Sequence, residues 1–207
     1  LRTAVVRQFA SSSFRRGVRQ SATRTALVIG NPSVGGFGSA FPRPKGEKRD
    51  DPPALVNAQT EAEAIAGTLN GLGYVVTPAI GDEERAIDVL AKLYRQPYRI
   101  LHVSAHGVFA VRHRDGRLRS GVVLSDGVLI TAAEVSAMES VPEIVFLNCC
   151  HLGTVDQPIG RGANKLAASV ARELIDIGVG CVIVAGWAVD DARASIFGQT
   201  FYAELLL

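Results

Sequence analysis

The chain is predicted to fold as an α/β domain, with a mostly parallel central sheet flanked by helices. Three observations predict it. Short apolar runs alternate with amphipathic stretches of helical period along the 207 residues. The runs, such as TALVIG (25–30) and EIVFLNCC (143–150), are apolar at odd and even positions alike, as strands covered on both faces must be. A hydrophobic share of 47% against 20% charged residues excludes disorder, and the length suits one domain with a substantial core.

The elements follow in order. TALVIG is a buried strand closed by Asn31-Pro32. Residues 31–53, rich in Gly, Pro and Lys, read as a flexible loop. TEAEAIAGTLNGLG (60–73) is a helix that Thr60 caps, with Glu63 completing a capping box and glycines ending it. YVVTPAI (74–80) is the second strand. DEERAIDVLAKLYR (82–95) is the second helix, acidic at its start and basic at its end, as the helix dipole prefers. RILHVSAHG (99–107) is the third strand, and VVLSDGVLI (122–130) is a hairpin around Ser-Asp-Gly. Thr131 and Glu134 form a capping box for a short helix ending near Met138. Then come the strand 143–150, a helix within 162–180, the strand CVIVAGW (181–187) and a last helix from about Asp191 to the end.

Charge is uneven although the net value is only +2. No acid precedes Glu47, whereas Arg2, Arg7, Arg15, Arg16, Arg19 and Arg24 come early, among serines. Residues 1–24 therefore read as a basic connector or arm to an upstream domain, and 25–207 as the folded domain. A transit peptide or an arm that binds nucleic acid is the alternative for 1–24. Nucleic acid is not directly indicated, because interleaved aromatics and zinc-finger spacing are both lacking. No apolar run reaches the roughly 18 residues of a membrane span. Three cysteines, Cys149 and Cys150 adjacent, make no disulfide framework, so a reducing compartment, the cytoplasm, is expected.

In such sheets the site lies beyond the carboxyl ends of the strands. That rule points to 104–108, 148–153 and 187–191. Several chemistries fail on spacing. GNPSVGGFG (30–38) starts like a P-loop, but Gly36 and Phe37 occupy the positions of its Lys and Ser/Thr, and GxGxxG fails too. His102 and His106 have a helical chelating spacing but lie on a predicted strand, where four residues span about 13 Å, too far for one zinc ion. There is no GxSxG nucleophile elbow. What remains is Cys-His chemistry. His106 and Cys150 end predicted strands, and parallel neighbours would bring them about 5 Å apart. Gly107 would let a backbone N–H approach a substrate carbonyl. Position alone leaves open the bland reading, a core cysteine and a bystander histidine.

The blocks ILHVSAHG, SGVVLSDGVLITAAEV, VFLNCCHLG and GWAVDDARASIFGQTFYAELL, in that order, resemble those of the CHAT domain. ALVIGNP and the helix EAEAIA are similar too. The resemblance covers about residues 25–207. It implies a caspase-hemoglobinase-like fold and endopeptidase activity by a His-Cys dyad without cofactor or metal. It also implies a dedicated protein substrate, an upstream sensor or repeat domain as partner, and a setting in prokaryotic defence or cell death. The family's nucleophile matches Cys150 and its His-Gly base matches His106-Gly107. Strand alternation agrees, since only one of Cys149 and Cys150 can share a face with His106. The N–H groups of Gly107 and Cys150 would then hold the oxyanion. His102 supports the site, and Asn148, Trp187 and Asp190 (with Asp191) are candidates for substrate binding. The related metacaspases carry Asp two residues before the nucleophile. This chain has Asn148, so a neutral pocket for the P1 side chain is expected, with Asp190 or Asp191 capping the last helix. The alternatives are a catalytically silent CHAT-like interaction module and, ranked low, a redox protein using Cys149 and Cys150.

Overall fold

The computed structural model describes residues 21–43, 47–151, 163–184 and 191–206. They form an α/β domain around a sheet of seven strands: β1 (Thr25–Gly30), β2 (Val75–Ile80), β3 (Ile100–Arg112), β4 (Leu118–Val123), β5 (Leu129–Ile130), β6 (Ile144–His151) and β7 (Cys181–Val184). The helices are α1 (Phe37–Ala40), α2 (Val56–Gly71), α3 (Ala86–Leu93), α4 (Ala132–Ser136), α5 (Ala163–Ile177) and α6 (Asp191–Leu206). Strands β2, β1, β3, β6 and β7 lie side by side and all parallel. Among the described residues no helix is long and apolar enough to cross a membrane.

Both faces of the sheet are buried, as the doubly apolar strands require. On one face Leu27, Leu101, Val103, Ala105, Val145, Leu147 and Cys149 pack on α3, α4 and α5 through Val89, Leu93, Val135 and Leu174. On the other, Ala26, Val28, Ile100, Ile144 and Phe146 meet Ala62, Ile65 and Leu69 of α2 and Tyr202 of α6. Alternation thus sorts odd and even strand positions between two cores.

Four expectations are corrected. Helix α2 starts at Val56, and Thr60 lies inside it, its hydroxyl donating to the Val56 carbonyl. The entry to α2 is held from afar instead: Asn31 Oδ1 accepts the Leu55 N–H at 2.6 Å. Helix α3 starts at Ala86, with Asp82 and Glu83 in a turn before it. Strand β3 does not end at Gly107. It runs on to Arg112, and 107–123 is mainly a hairpin with β4, not a loop. Finally, the described part of 31–53 is tied down. The Asn31 N–H donates to the Ser104 carbonyl, and Ser33 N–H to that of Glu84, each at 2.9 Å. Asp51 accepts the N–H groups of Gly36 and Gly38 at 2.8 and 2.6 Å. Phe37 and Phe41 stack and bury with Val108, Val111, Val123 and Leu129.

The Thr131–Glu134 capping box is present, and β4 and β5 pair antiparallel about Ser125–Gly127, as expected. Beyond the end of β1, β4 takes over its side of β3: β1 pairs as far as Gly30–Ser104, β4 from Val122–Gly107 onward.

Candidate active site

Strands β3 and β6 are parallel neighbours, and their register sets His106 directly opposite Cys150, with Ala105 opposite Cys149 and Gly107 opposite His151. Neighbouring strands lie about 4.8 Å apart, and facing positions share a face. His106 and position 150 therefore belong to the face of His102, Ser104 and Asn148. Cys149 belongs to the opposite face, where it is buried among Ala105, Leu147 and Val145. The Cys150 thiol, Trp187 and Asp190 lie outside the described atoms, as does Asp156.

His106 is only 7% exposed, and its Nε2 lies 2.8 Å from the Pro53 carbonyl oxygen. A carbonyl can only accept, so Nε2 carries the proton and Nδ1 keeps its lone pair. Burial pushes the imidazole below its ordinary value of 6.5, against the Pro53 hydrogen bond, which favours the charged ring. The ring is thus held neutral at pH 7, with Nδ1 free of a proton. This contact was not legible in the sequence, because it depends on the path of the loop that ends at Pro53.

One pleat below the dyad positions, Ser104 faces Asn148 across the same two strands. A single carboxylate oxygen joins them: Glu61 Oε2 accepts from Ser104 Oγ at 2.9 Å and from Asn148 Nδ2 at 2.6 Å. Glu61 comes from α2 and is 2% exposed. A carboxylate that accepts two buried donors ties β3 to β6 just beneath the site. Sequence reading missed Glu61, which looked like one acid of a solvated helix face. Its one clue was position: Glu61 falls on the stripe of Ala62, Ile65 and Leu69, not on the polar side.

Asn148 is 5% exposed, and this bond fixes its orientation, since its amide nitrogen must face the carboxylate. Its Oδ1 is buried without a hydrogen-bond partner among the described residues. Asn148 thus lies within a buried cluster under the dyad positions. His102, fully buried, completes it. Its Nδ1 is 3.2 Å from the Tyr202 hydroxyl, and its ring stacks on Phe146 at 4.9 Å. Its Nε2 stands 3.6 Å from Glu61 Oε1, too long for a good hydrogen bond. Burial raises the Tyr202 hydroxyl well above its usual range, so it stays neutral beside His102. Gly107 stands between two pairing partners, Val122 and His151, rather than at a free strand end. Burial, and then Glu143, raises the Cys181 thiol, which leaves it protonated.

The arrangement offers a neutral, oriented imidazole opposite a cysteine position at the carboxyl ends of parallel strands. An imidazole so held is one requirement of thiol activation. The family model described as CHAT domain matches residues 2–207, which takes in most of the segment read as a connector. No curated protein matches, and no solved structure matches.

Proposed function

The chain belongs to the CHAT-domain family, a caspase-like, peptidase-related family, and from that premise we propose that it is a cysteine endopeptidase with His106 and Cys150 as its dyad. The observation that carries this reading is the register of His106 opposite Cys150 on adjacent parallel strands. The Pro53 carbonyl supports it by leaving Nδ1 of His106 as the base.

In this mechanism Nδ1 takes the Cys150 thiol proton, and the thiolate attacks the scissile carbonyl carbon. The carbonyl electron pair moves onto oxygen, which the N–H groups of Gly107 and Cys150 hold. Collapse expels the amine, which takes the proton from His106, and leaves a thioester on Cys150. Water, deprotonated by His106, then hydrolyses the thioester. Trp187 and Asp190 are the residues assigned to substrate binding. Asn148 sets the floor of the cleft, with the Glu61 carboxylate behind it. Because Gly107 is flanked by β4 and β6, its N–H reaches an oxyanion only when one of those end pairs opens. Basal activity is therefore low, and an upstream sensor or repeat domain raises it, in a cytoplasmic defence or cell-death role. The same pairing of Gly107 is the observation that favours a second reading, a catalytically silent interaction module.

Labelling by a peptide carrying an electrophilic warhead separates the two. The first reading expects stoichiometric labelling, abolished in Cys150→Ala and equally in His106→Ala, since the two act as one unit. Cys149→Ala should keep labelling and cost about 1–2 kcal/mol of stability. Absence of labelling with any warhead peptide, even with the flanking domain present, would establish the silent module. Loss of labelling in a folded Cys149→Ala would move the nucleophile.

A further inference from the structure

Strand β3 runs six positions past His106 to Arg112 before turning back as β4. Residues 112–119 around that turn read RHRDGRLR, four arginines against one acid. Arg112, Arg114, Arg117 and Arg119 are all exposed. The acid is engaged within the turn. Asp115 accepts from the Arg117 N–H at 3.0 Å and from Arg119 at 2.7 Å, and its Oδ1 lies 3.0 Å from His113 Nδ1, which accepts the Asp115 N–H at 3.3 Å. Arg112 donates to the Gly116 carbonyl at 2.8 Å. These bonds stiffen the tip and leave Arg114 and Arg117 without an ion pair among the described residues.

The neighbouring loop does not cancel this charge. It is joined to the hairpin by the Arg114 N–H on the Ala40 carbonyl and by the Phe41 ring against the edge of His113. Residues 41–53 carry Arg43, Lys45, Lys48 and Arg49 against Glu47, Asp50 and Asp51, an excess of one positive charge. The larger excess, four arginines against one acid, sits on the tip. Six strand residues separate tip from base, at most about 20 Å along a strand whose register shifts between Val108 and Val111.

We propose that the tip of the β3–β4 hairpin is an exosite that docks an acidic segment of the protein substrate, six or more residues from the scissile bond. This rests on the peptidase reading above. A peptide fits the tip better than a nucleic acid does. Single-stranded nucleic acid binds on stacking aromatics along a basic groove, and the tip exposes none. Its one exposed apolar side chain is Leu118, 60% exposed and opposite Arg112 in the ladder. Guanidinium forks match carboxylates in pairs, and Leu118 offers a contact for an apolar residue among them.

The test measures binding rather than cleavage, on the whole chain carrying Cys150→Ala. The probes are a fluorescent glutamate-rich peptide, its glutamine counterpart and a single-stranded oligonucleotide of matched charge. The glutamate peptide should bind about tenfold more tightly than the glutamine one at low salt. The Arg114→Glu/Arg117→Glu double variant should erase that preference, and the Arg114→Lys/Arg117→Lys variant should keep most of it. Equal binding of the two peptides, or an unchanged preference after charge reversal, overturns the exosite. Tighter binding of the oligonucleotide than of the acidic peptide overturns it in favour of a nucleic-acid face. Warhead labelling of Cys150 should be unchanged in the charge-reversal variant with wild-type cysteine, so failure of the exosite and failure of the dyad are read separately.

Discussion

His106 shows how one hydrogen bond can decide a residue's chemistry. Its Nε2 is engaged by Pro53, so the free lone pair sits on Nδ1. Its lowered pKa, caused first by burial, has two consequences of the same sign. The base is neutral over a wider range, so the acid limb of kcat/KM should fall below pH 6.5, the ordinary histidine value. The folded state also prefers the neutral ring. That contribution to stability is present above the unfolded pKa and is lost as pH falls through the folded one. A pH–rate profile with its acid limb above 6.5 would contradict the assignment. Asn148 carries a second prediction. Asn148→Asp was the obvious route to a basic P1 preference, but here it sets a second carboxylate where an amide now donates to Glu61 at 2.6 Å. Two carboxylates at that distance cannot both stay charged. The variant should lose about 2–3 kcal/mol at neutral pH and recover part of it towards pH 5, as the raised carboxyl takes a proton. Chemical denaturation at both values checks this. The cysteine question was legible in part: a period of two says that only one cysteine of the pair shares the face of His106, while the choice of Cys150 came from the resemblance and not from the period. The partners of His106 and Asn148 were not legible, since Pro53 and Glu61 are 53 and 87 positions away in sequence.

The loop from Asn31 to Pro53 behaves as a built part. Its glycines suggested flexibility, yet Gly36 (φ 83°) needs the left-handed region that only glycine enters freely. At Gly38 a Cβ would stand 2.0 Å from the Arg49 carbonyl oxygen. Gly38→Ala should therefore push residues 49–53 outward and carry the Pro53 carbonyl away from His106. We expect a stability loss of about 1–3 kcal/mol and a fall in kcat larger than that loss explains, with an acid limb moved from its wild-type position, because both the burial of the ring and its Pro53 bond change. An unchanged pH profile in the folded variant would show that Pro53 does not tune the base. Helix and strand identities were legible from period. Their ends were less so. The N-cap residue of helix α2, Leu55, makes no side-chain cap and is held by Asn31, 24 residues away, whereas the local pattern at Thr60 and Glu63 pointed to a later start. Strand β3 outran its expected end because VFAVR continues an apolar alternation that the preceding glycine seemed to close.

The whole sheet explains why the site stands where it does: parallel strands all present their carboxyl ends on one side, and the two central ones carry the dyad positions. The fold class followed from apolar runs alternating with helical ones, but strand order could not. Nothing local tells β3 to take β1, β6 and β4 as partners. That order also gives the domain a gradient of opening. Residues 100–107 of β3 have β6 along their whole length and β1 or β4 opposite for most of it, whereas β2 pairs only with β1 and β7 only with β6 among the described strands. Deuterium exchange should find amides in 100–106 protected to the level of global unfolding, and those of β2 and β7 released by local opening. Equal exchange rates across the sheet would refute this ranking. The base therefore rides on the segment of the chain that lets go last, and a signal that switches the site on must open the pairs of Gly107 without loosening the strand that leads up to it.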